Sequence, residues 1–255
     1  MPRGIVTPSK RRRSRSKSRR RFRRRGSKRM ASTRIYRRLP IGGFRPHHVV
    51  KLRYSDVFNL DPSSGGSGTQ AYVFQANNIF DPDTTSTGHQ PLYRDTWAGI
   101  YKSYIVLGAK IRLVVQPTQN VALINSADVV AQGTGYTAGV LLTDSSSDYP
   151  ISTNTLIEIG DRRRCKFKIL PPMQSNRFTS IVQTYSPRKF YGLKDTRDHL
   201  GELGSGVGSG PSLGAYFICF LSNADNSANA ISIPMRAVID YTVMFYDIID
   251  NVTAS

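Results

Sequence analysis

The chain is poor in the features that build disulfide frameworks, metal clusters and membrane spans. It has two cysteines, Cys165 and Cys219, among 255 residues, which are too few for a disulfide framework or a cysteine-based metal cluster. No apolar run approaches the roughly 18 residues of a transmembrane helix, and no apolar stretch of a secretory signal follows the positively charged N-terminus. We therefore expect synthesis in the cytosol, no membrane insertion, and cysteines that act as small buried apolar side chains.

Acidic residues are missing from the first 38 positions. This segment holds 18 of the 36 Lys and Arg residues of the chain and none of its 17 acidic residues. The formal net charge of +19 therefore divides into +18 on a short N-terminal arm and +1 on the remaining residues. Such a division indicates two tasks, because a highly cationic arm neutralises a polyanion whereas a near-neutral body can pack against other proteins.

The arm, residues 1–40, is predicted to be a disordered segment that binds nucleic acid. Like charges repel along it and it offers little apolar surface to bury, so it cannot fold alone. Arginine outnumbers lysine, and the planar guanidinium group binds phosphate in a bidentate manner and stacks on bases. The run is also typical of a nuclear localisation signal, which makes the nuclear import machinery an expected partner. The residues expected to contact nucleic acid are Arg11, Arg12, Arg13, Arg15, Lys17, Arg19, Arg20, Arg21, Arg23, Arg24 and Arg25.

Residues 41–255 are predicted to form a single all-β domain. Apolar and polar residues alternate in short segments separated by Gly, Pro, Asn, Asp and Ser clusters, and no alternation of strands with long helices appears. One short helical turn is expected around Trp97. The count of eight antiparallel strands is that of a jelly-roll sandwich. The candidate strands are residues 49–58, 71–76, 104–116, 137–143, 165–170, 179–185, 215–221 and 234–248.

The connections between these strands predict a sandwich with two different ends. Connections after the first, fifth and seventh strands are short, whereas those after the second, fourth and sixth strands are long. In a jelly roll these two sets emerge at opposite ends. The connection after the third strand is long and departs from this pattern. Long ordered connections usually form interfaces or functional sites.

Basic residues on three candidate strands predict a second contact with nucleic acid. In a jelly roll the first, last, third and sixth strands share one sheet, and side chains alternate between its faces. The residues expected on the inward face of the third strand are Ile105, Leu107, Ala109, Ile111, Leu113 and Val115. The basic residues expected to point outward are Lys51, Arg53, Lys110, Arg112 and Arg236. We expect them to form a stripe that touches nucleic acid inside an assembly; the alternative is ordinary solvated or salt-bridged strand faces.

No residue pattern indicates catalysis, a cofactor or a metal site. The four histidines lack metal-ligand spacing, and the glycine-rich segment 201–210 matches no nucleotide-binding pattern. Asp61, Asp81 and Asp83 lie beside prolines and are interpreted as turn formers, with calcium at a subunit contact as the alternative. We therefore expect a protein that is not an enzyme.

Two aromatic pairs lie in the long connections. Trp97 and Tyr101 precede the third strand, and Phe190 and Tyr191 follow the sixth. Such rings either pack locally beneath a loop, or anchor a subunit contact and stack on bases. The sequence leaves both interpretations open.

The segment NNIFDPDTTSTGHQPLYRDTWAGIYKSYIVLGAKI, residues 77–111, and the ending DYTVMFYD resemble the capsid proteins of circovirus-like viruses with circular single-stranded DNA genomes. The resemblance covers nearly the whole chain, and its specific part is the 77–111 segment. It implies a shell of sixty copies, with the arms directed at the packaged DNA or exposed for import into the host nucleus. It also implies location in the virion and in the host nucleus, and a host receptor whose identity the sequence does not give.

Other functions remain open at this stage. A coat protein of a small RNA virus with the same fold would carry a similar arm. A cellular nucleic-acid-binding protein would spread its basic residues over the folded body. A carbohydrate-binding jelly roll would show exposed aromatic residues beside carboxylates and would need no arm.

Overall fold

Two antiparallel sheets make up most of the computed structural model, which describes residues 44–62, 69–85, 88–115, 136–148, 162–170, 178–223 and 232–249. Within these ranges the strands are β1 (His47–Leu60), β2 (Thr69–Gln75), β3 (Tyr101–Val115), β4 (Tyr136–Thr143), β5 (Cys165–Leu170), β6 (Thr179–Tyr185), β7 (Gly204–Gly206), β8 (Tyr216–Asn223) and β9 (Ile233–Ile248). The helices are α1 (Arg94–Ala98), α2 (Pro187–Phe190) and α3 (Leu200–Leu203), and a 3-10 helix covers Thr196–His199.

The strand order is that of a jelly roll. One sheet has the order β1-β9-β3-β6, with the short β7 paired to β3, and the other has the order β2-β8-β4-β5. Every pairing between these strands is antiparallel. The prediction of an all-β jelly-roll sandwich is confirmed, as is the placement of the first, last, third and sixth predicted strands in one sheet. β7 is an addition that its Gly-Ser-Gly sequence did not indicate.

Alternation of side chains along β9 forms the centre of the core. Its inward residues from Met235 to Phe245 are fully buried. Burial of each large apolar side chain in such a core stabilises the fold by about 1.5–3 kcal/mol. The hydroxyl of Tyr241 donates a hydrogen bond of 2.7 Å to the backbone carbonyl of Gln75 in β2, so one buried side chain ties the two sheets together.

A bulge in β3 changes which residues face the core. Val106 pairs with Val243, but Gly108 pairs with Thr242, so one extra residue of β3 lies between them. Such an extra residue reverses the direction of the side chains that precede it. The predicted inward face is therefore correct from residue 109 onward and wrong before the bulge: Ile105 packs on the outer side of the sheet.

β8 is buried on both faces, in keeping with its continuous apolar sequence. Phe217 and Cys219 belong to the main core, whereas Ile218 and Phe220 pack with Leu141 on the opposite side of the sheet. Burial raises the pKa of the Cys219 thiol well above its usual range. Both cysteines are free, and Cys165 is only half-buried.

Three of the long connections leave the same end of the sandwich. The start of β1 at His47 pairs with Tyr246 near the end of β9, and the start of β3 at Tyr101 pairs with Ile248. The β2–β3, β4–β5 and β6–β8 connections therefore share one end with the chain that enters β1. Part of the β2–β3 connection also runs along the free edge of β2, where Asp83 forms a bridge with Phe74. In the described ranges no helix is long and apolar enough to cross a membrane.

Candidate nucleic-acid interface

The outward face of the β1-β9-β3-β6 sheet carries the five basic side chains that were predicted from strand alternation. Lys51 and Arg53 lie on β1, Lys110 and Arg112 on β3, and Arg236 on the intervening β9. All five side chains are exposed, and the residues on either side of each along its strand are less exposed. We call these five side chains the basic face. Their placement on one surface is a geometric finding, and their contact with nucleic acid stays a prediction.

Strand register sets the layout of the basic face. Arg53 of β1 and Lys110 of β3 both lie opposite Asp240 of β9. Lys51 and Arg112 lie one side-chain row away from Asp240, on opposite sides of it. Neighbouring strands are about 4.8 Å apart and same-face residues about 6.7 Å apart along a strand, so the Cα atoms of these four cationic residues lie within about 8 Å of that of Asp240. Four cations therefore surround one carboxylate.

Asp240 is the part of this surface that the sequence interpretation missed. The Nε of Arg53 donates a hydrogen bond of 2.6 Å to Oδ1 of Asp240. That bond and the negative charge of Asp240 raise the pKa of Arg53 above its ordinary value. Both side chains are largely exposed, so solvent screens the pair. The signal was available, because Asp240 and Arg236 share the outward positions of the alternating segment that forms β9.

Another part of the same outward face is covered by the chain itself. Ile105 of β3 and Met244 of β9 pack against Leu203 of α3, where the β6–β8 connection crosses the sheet. The short β7 pairs with β3 at Ser103–Ile105. The basic face therefore lies on the part of the sheet that this connection leaves open to a large ligand.

The basic face is suited to phosphate binding rather than to base recognition. Exposed Lys and Arg side chains neutralise phosphates and release their counterions, which gives affinity that depends on salt and not on sequence. The carboxylate of Asp240 works against this affinity, because it repels phosphate and already holds Arg53. Together the five cations and Asp240 carry a formal charge of +4.

Tyr101 and Trp97 pack within the subunit. The side chain of Tyr101 is 1% exposed, and its hydroxyl donates a hydrogen bond of 2.9 Å to the carbonyl of Arg45. The half-buried ring of Trp97 lies 4.7 Å from that of His48 and 6.1 Å from that of Phe245. An intermolecular role for Tyr101 is therefore wrong in this fold, because its ring is enclosed. For Trp97 the structure supports local packing, the alternative that the sequence left open.

Phe190 and Tyr191 are likewise occupied by contacts inside the chain. Phe190 is buried, with the guanidinium carbon of Arg164 4.1 Å from its ring centroid. The hydroxyl of Tyr191 donates a hydrogen bond of 3.0 Å to the carbonyl of Gly214, and burial raises its pKa to about 12. Stacking of a base on Phe190 would require removal of Arg164. The structure thus supports anchoring of the β6–β8 connection by this pair, and stacking on a base stays a prediction.

The predicted contacts of the arm, Arg11 to Arg25, lie outside the described residues. Within the described ranges no three His, Cys, Asp or Glu side chains are grouped to hold a metal ion. Asp83, one of the aspartates interpreted as turn formers, is buried and accepts hydrogen bonds of 2.8 and 2.6 Å from the hydroxyls of Tyr72 and Thr85. Its oxygens thus serve to fix the local chain.

Comparisons with known proteins found similarity at the level of structure. No family model matches the chain, and no curated protein matches it. A structure of Desmodium yellow mottle tymovirus is 11% identical, with a TM-score of 0.43 and coverage of 83% of this chain and 87% of that one. A crystal structure of the 60-mer BFDV capsid protein is 14% identical, with a TM-score of 0.40 and coverage of 83% and 100%. A structure of Mud crab tombus-like virus is 11% identical, with a TM-score of 0.43 and coverage of 83% and 86%. Because identities and TM-scores are low, the fold is assigned from the strand order of this chain, and its function has to be argued from its own residues.

Proposed function

We propose that this chain is a viral capsid protein that assembles into a small icosahedral shell of sixty copies and packages a circular single-stranded DNA genome. The Arg-rich arm binds the genome, the basic face adds contacts from the inner wall, and the jelly-roll body forms the wall itself. Its role is structural, and it catalyses no reaction. The particle is the virion, and assembly takes place in the host nucleus, to which the arm directs the chain.

The division of charge is the observation that carries this proposal. The arm holds +18 and the remaining residues +1. Bodies of nearly zero net charge can pack side by side, whereas bodies that each carried +18 would repel one another strongly. A cellular nucleic-acid-binding protein needs no such separation, and a carbohydrate-binding jelly roll needs no arm.

The position of the basic face supports an inner location for both cationic elements. β1 begins at His47, a few residues after the arm, and carries Lys51 and Arg53 on its outward side. Along the sequence, only a short stretch therefore separates the arm from these two cations. A genome bound by the arm would lie close to this surface, where further cations neutralise phosphates that the arm leaves unpaired.

A coat protein of a small RNA virus is the second candidate, because charge-driven binding accepts either nucleic acid. The resemblance of residues 77–111 to circovirus-like capsid proteins favours DNA. The test is to purify particles from their natural source, extract the nucleic acid and digest it with DNase or RNase. The proposal predicts uniform small particles whose nucleic acid is degraded by DNase and resists RNase. Degradation by RNase alone would replace DNA with RNA, and absence of particles would refute the capsid function.

A further inference from the structure

Two lysines line an edge of the sandwich beside the basic face. β6 is the last strand of the sheet that carries the basic face, and β5 is the last strand of the opposite sheet. Lys166 of β5 turns toward β6, because its ammonium group donates a hydrogen bond of 3.0 Å to the carbonyl of Val182. Lys168 follows two residues later and lies on the same side of β5. Both lysines are exposed, so they bring positive charge to the edge where β5 and β6 meet.

Strand register connects Lys166 to the basic face. Val182, whose carbonyl accepts the hydrogen bond from Lys166, lies opposite Arg112 of β3. Neighbouring strands are about 4.8 Å apart, so the ammonium group of Lys166 lies within about 10 Å of the Cα atom of Arg112. Lys166 therefore extends the row of Arg112 by one position, across β6 and over the edge of the sheet.

The direction of β5 places Lys168 beside a second row of the basic face. The side-chain amide of Gln183 donates a hydrogen bond to the carbonyl of Arg164, one residue further along β6 than Val182 and two residues before Lys166. β5 and β6 therefore run in opposite directions, and Lys168 lies level with Ser180. Ser180 shares its row with Arg236, since Val114 of β3 is opposite both residues.

The surface between the two groups of cations carries hydroxyl groups and no carboxylate. Ser180 and Thr184 of β6 are exposed, and Thr184 lies opposite Lys110 of the basic face. Hydroxyl side chains donate hydrogen bonds to phosphate oxygens. Neither β5 nor β6 contains an acidic residue, so neither strand has a counterpart of Asp240. The edge track, as we call it, consists of Lys166, Lys168, Ser180 and Thr184.

We propose that single-stranded DNA bound to the basic face continues across β6 onto the edge track, where Lys166 and Lys168 neutralise further phosphates. Affinity of this kind comes from release of counterions and does not depend on base sequence. The flexible backbone of a single strand can bend around the sheet edge and leave the carboxylate of Asp240 behind. The inference rests on the proposed function and extends its DNA-binding surface from one sheet of the sandwich to the edge of the other.

Acetylation of lysines in the unassembled full-length chain tests this path. The protein is treated with an acetylating reagent with and without a short single-stranded DNA oligonucleotide of mixed sequence, and modification of each lysine is measured by mass spectrometry. Lys168 should react several-fold more slowly when the oligonucleotide is present, as should Lys51 and Lys110 of the basic face. The controls are Lys189 and Lys194, which are exposed in the β6–β8 connection and should react at the same rate in both samples.

The possible outcomes separate the edge track from the proposed function. An unchanged rate at Lys168 overturns the edge track, and its charge would then serve to keep the edge strand from pairing with other sheets. Slower reaction of Lys168 that accompanies an increase in size on size-exclusion chromatography also overturns it, because a second copy would then cover the edge. Failure of the chain to form particles overturns the proposed function, whereas the acetylation pattern is measured on the unassembled chain and still decides the path.

Removal of the two charges provides a second measurement on the full-length chain. Lys166→Gln with Lys168→Gln should make the slope of log affinity against log salt less negative by about 1.4, since each phosphate contact contributes about −0.7. Lys168→Gln alone should account for about half of this change without altering thermal unfolding, which separates binding from the contact of Lys166 with β6. The matched control, Lys189→Gln with Lys194→Gln, removes the same charge outside the strands and should leave the slope nearly unchanged. Equal slopes for the two double variants overturn the edge track.

Discussion

Neutralisation of the basic face should weaken binding of single-stranded DNA by an amount set by the number of phosphates that the face contacts. The test protein is the chain without residues 1–40, since the arm would otherwise dominate the affinity. In this protein five lysine and arginine residues are replaced by glutamine. The replaced residues are Lys51, Arg53, Lys110, Arg112 and Arg236. All five are exposed, so their replacement should leave thermal unfolding nearly unchanged.

The magnitude follows from counterion release. With Asp240 offsetting one of the five cations, the basic face neutralises about four phosphates. Each phosphate contact with a single strand contributes about −0.7 to the slope of log affinity against log salt, so the face contributes about −2.8. Between 50 and 200 mM salt this slope corresponds to a loss of affinity of about 50-fold. The glutamine variant should therefore show a slope less negative by about 2.8 and much weaker binding at low salt.

Fluorescence anisotropy with a labelled oligonucleotide of mixed sequence measures this slope. The matched control removes five exposed cations that lie outside the strands. Its changes to glutamine are at Arg163, Arg188, Lys189, Lys194 and Arg197. The control should retain most of the slope of the unchanged protein. Equal slopes for the two variants would refute the reasoning, since binding would then depend on total charge and not on the basic face.

Three further predictions follow from particular contacts. Asp240→Asn should strengthen DNA binding and make the salt slope more negative by about 0.7, and weaker binding would show that Asp240 instead holds its neighbour in a productive position. Gly139→Ala should destabilise the fold by about 1–3 kcal/mol in urea unfolding, because a Cβ there would lie 2.2 Å from the ring of Phe220. Gly201→Ala is the control, since nothing lies within 4 Å of its added Cβ. Similar effects of both changes would contradict the packing argument. Burial raises the pKa of Tyr72 to about 12, so the folded state retains a proton that the unfolded state loses above about pH 10. The free energy of unfolding should therefore fall as the pH rises from 10 to 12, and a constant value across this range would count against the enclosed phenols.

The strands could be predicted because alternation leaves a plain signal in the sequence. Along β9, buried residues from Met235 to Val243 alternate with more exposed ones, and this period of two is what a half-buried strand requires. The alternation gave the wrong inward face before the bulge at Gly108. A single extra residue shifts the alternation but leaves no mark on the composition of the segment. It also gave no indication of β7, whose Gly-Ser-Gly sequence has no alternation to detect.

The candidate site was predicted only in part, for electrostatic and packing reasons. The prediction considered only basic residues, so it located the cations of the basic face and missed Asp240. The position of Asp240 among these cations depends on the register between three strands. The aromatic pairs were ambiguous because composition does not tell a buried ring from an exposed one. Tyr101 is enclosed by its neighbours, whereas Tyr93, in the connection that leads to the same strand, is 68% exposed.

Assembly of the body without its arm tests the central claim most directly. The chain without residues 1–40 is purified and followed by size-exclusion chromatography and electron microscopy over a range of salt and protein concentrations, with nucleic acid measured by absorbance. The division of charge predicts that the near-neutral body still forms large closed particles, and that these particles contain little nucleic acid. A body that stays a stable monomer under every condition would contradict the claim that this jelly roll is the wall of a shell.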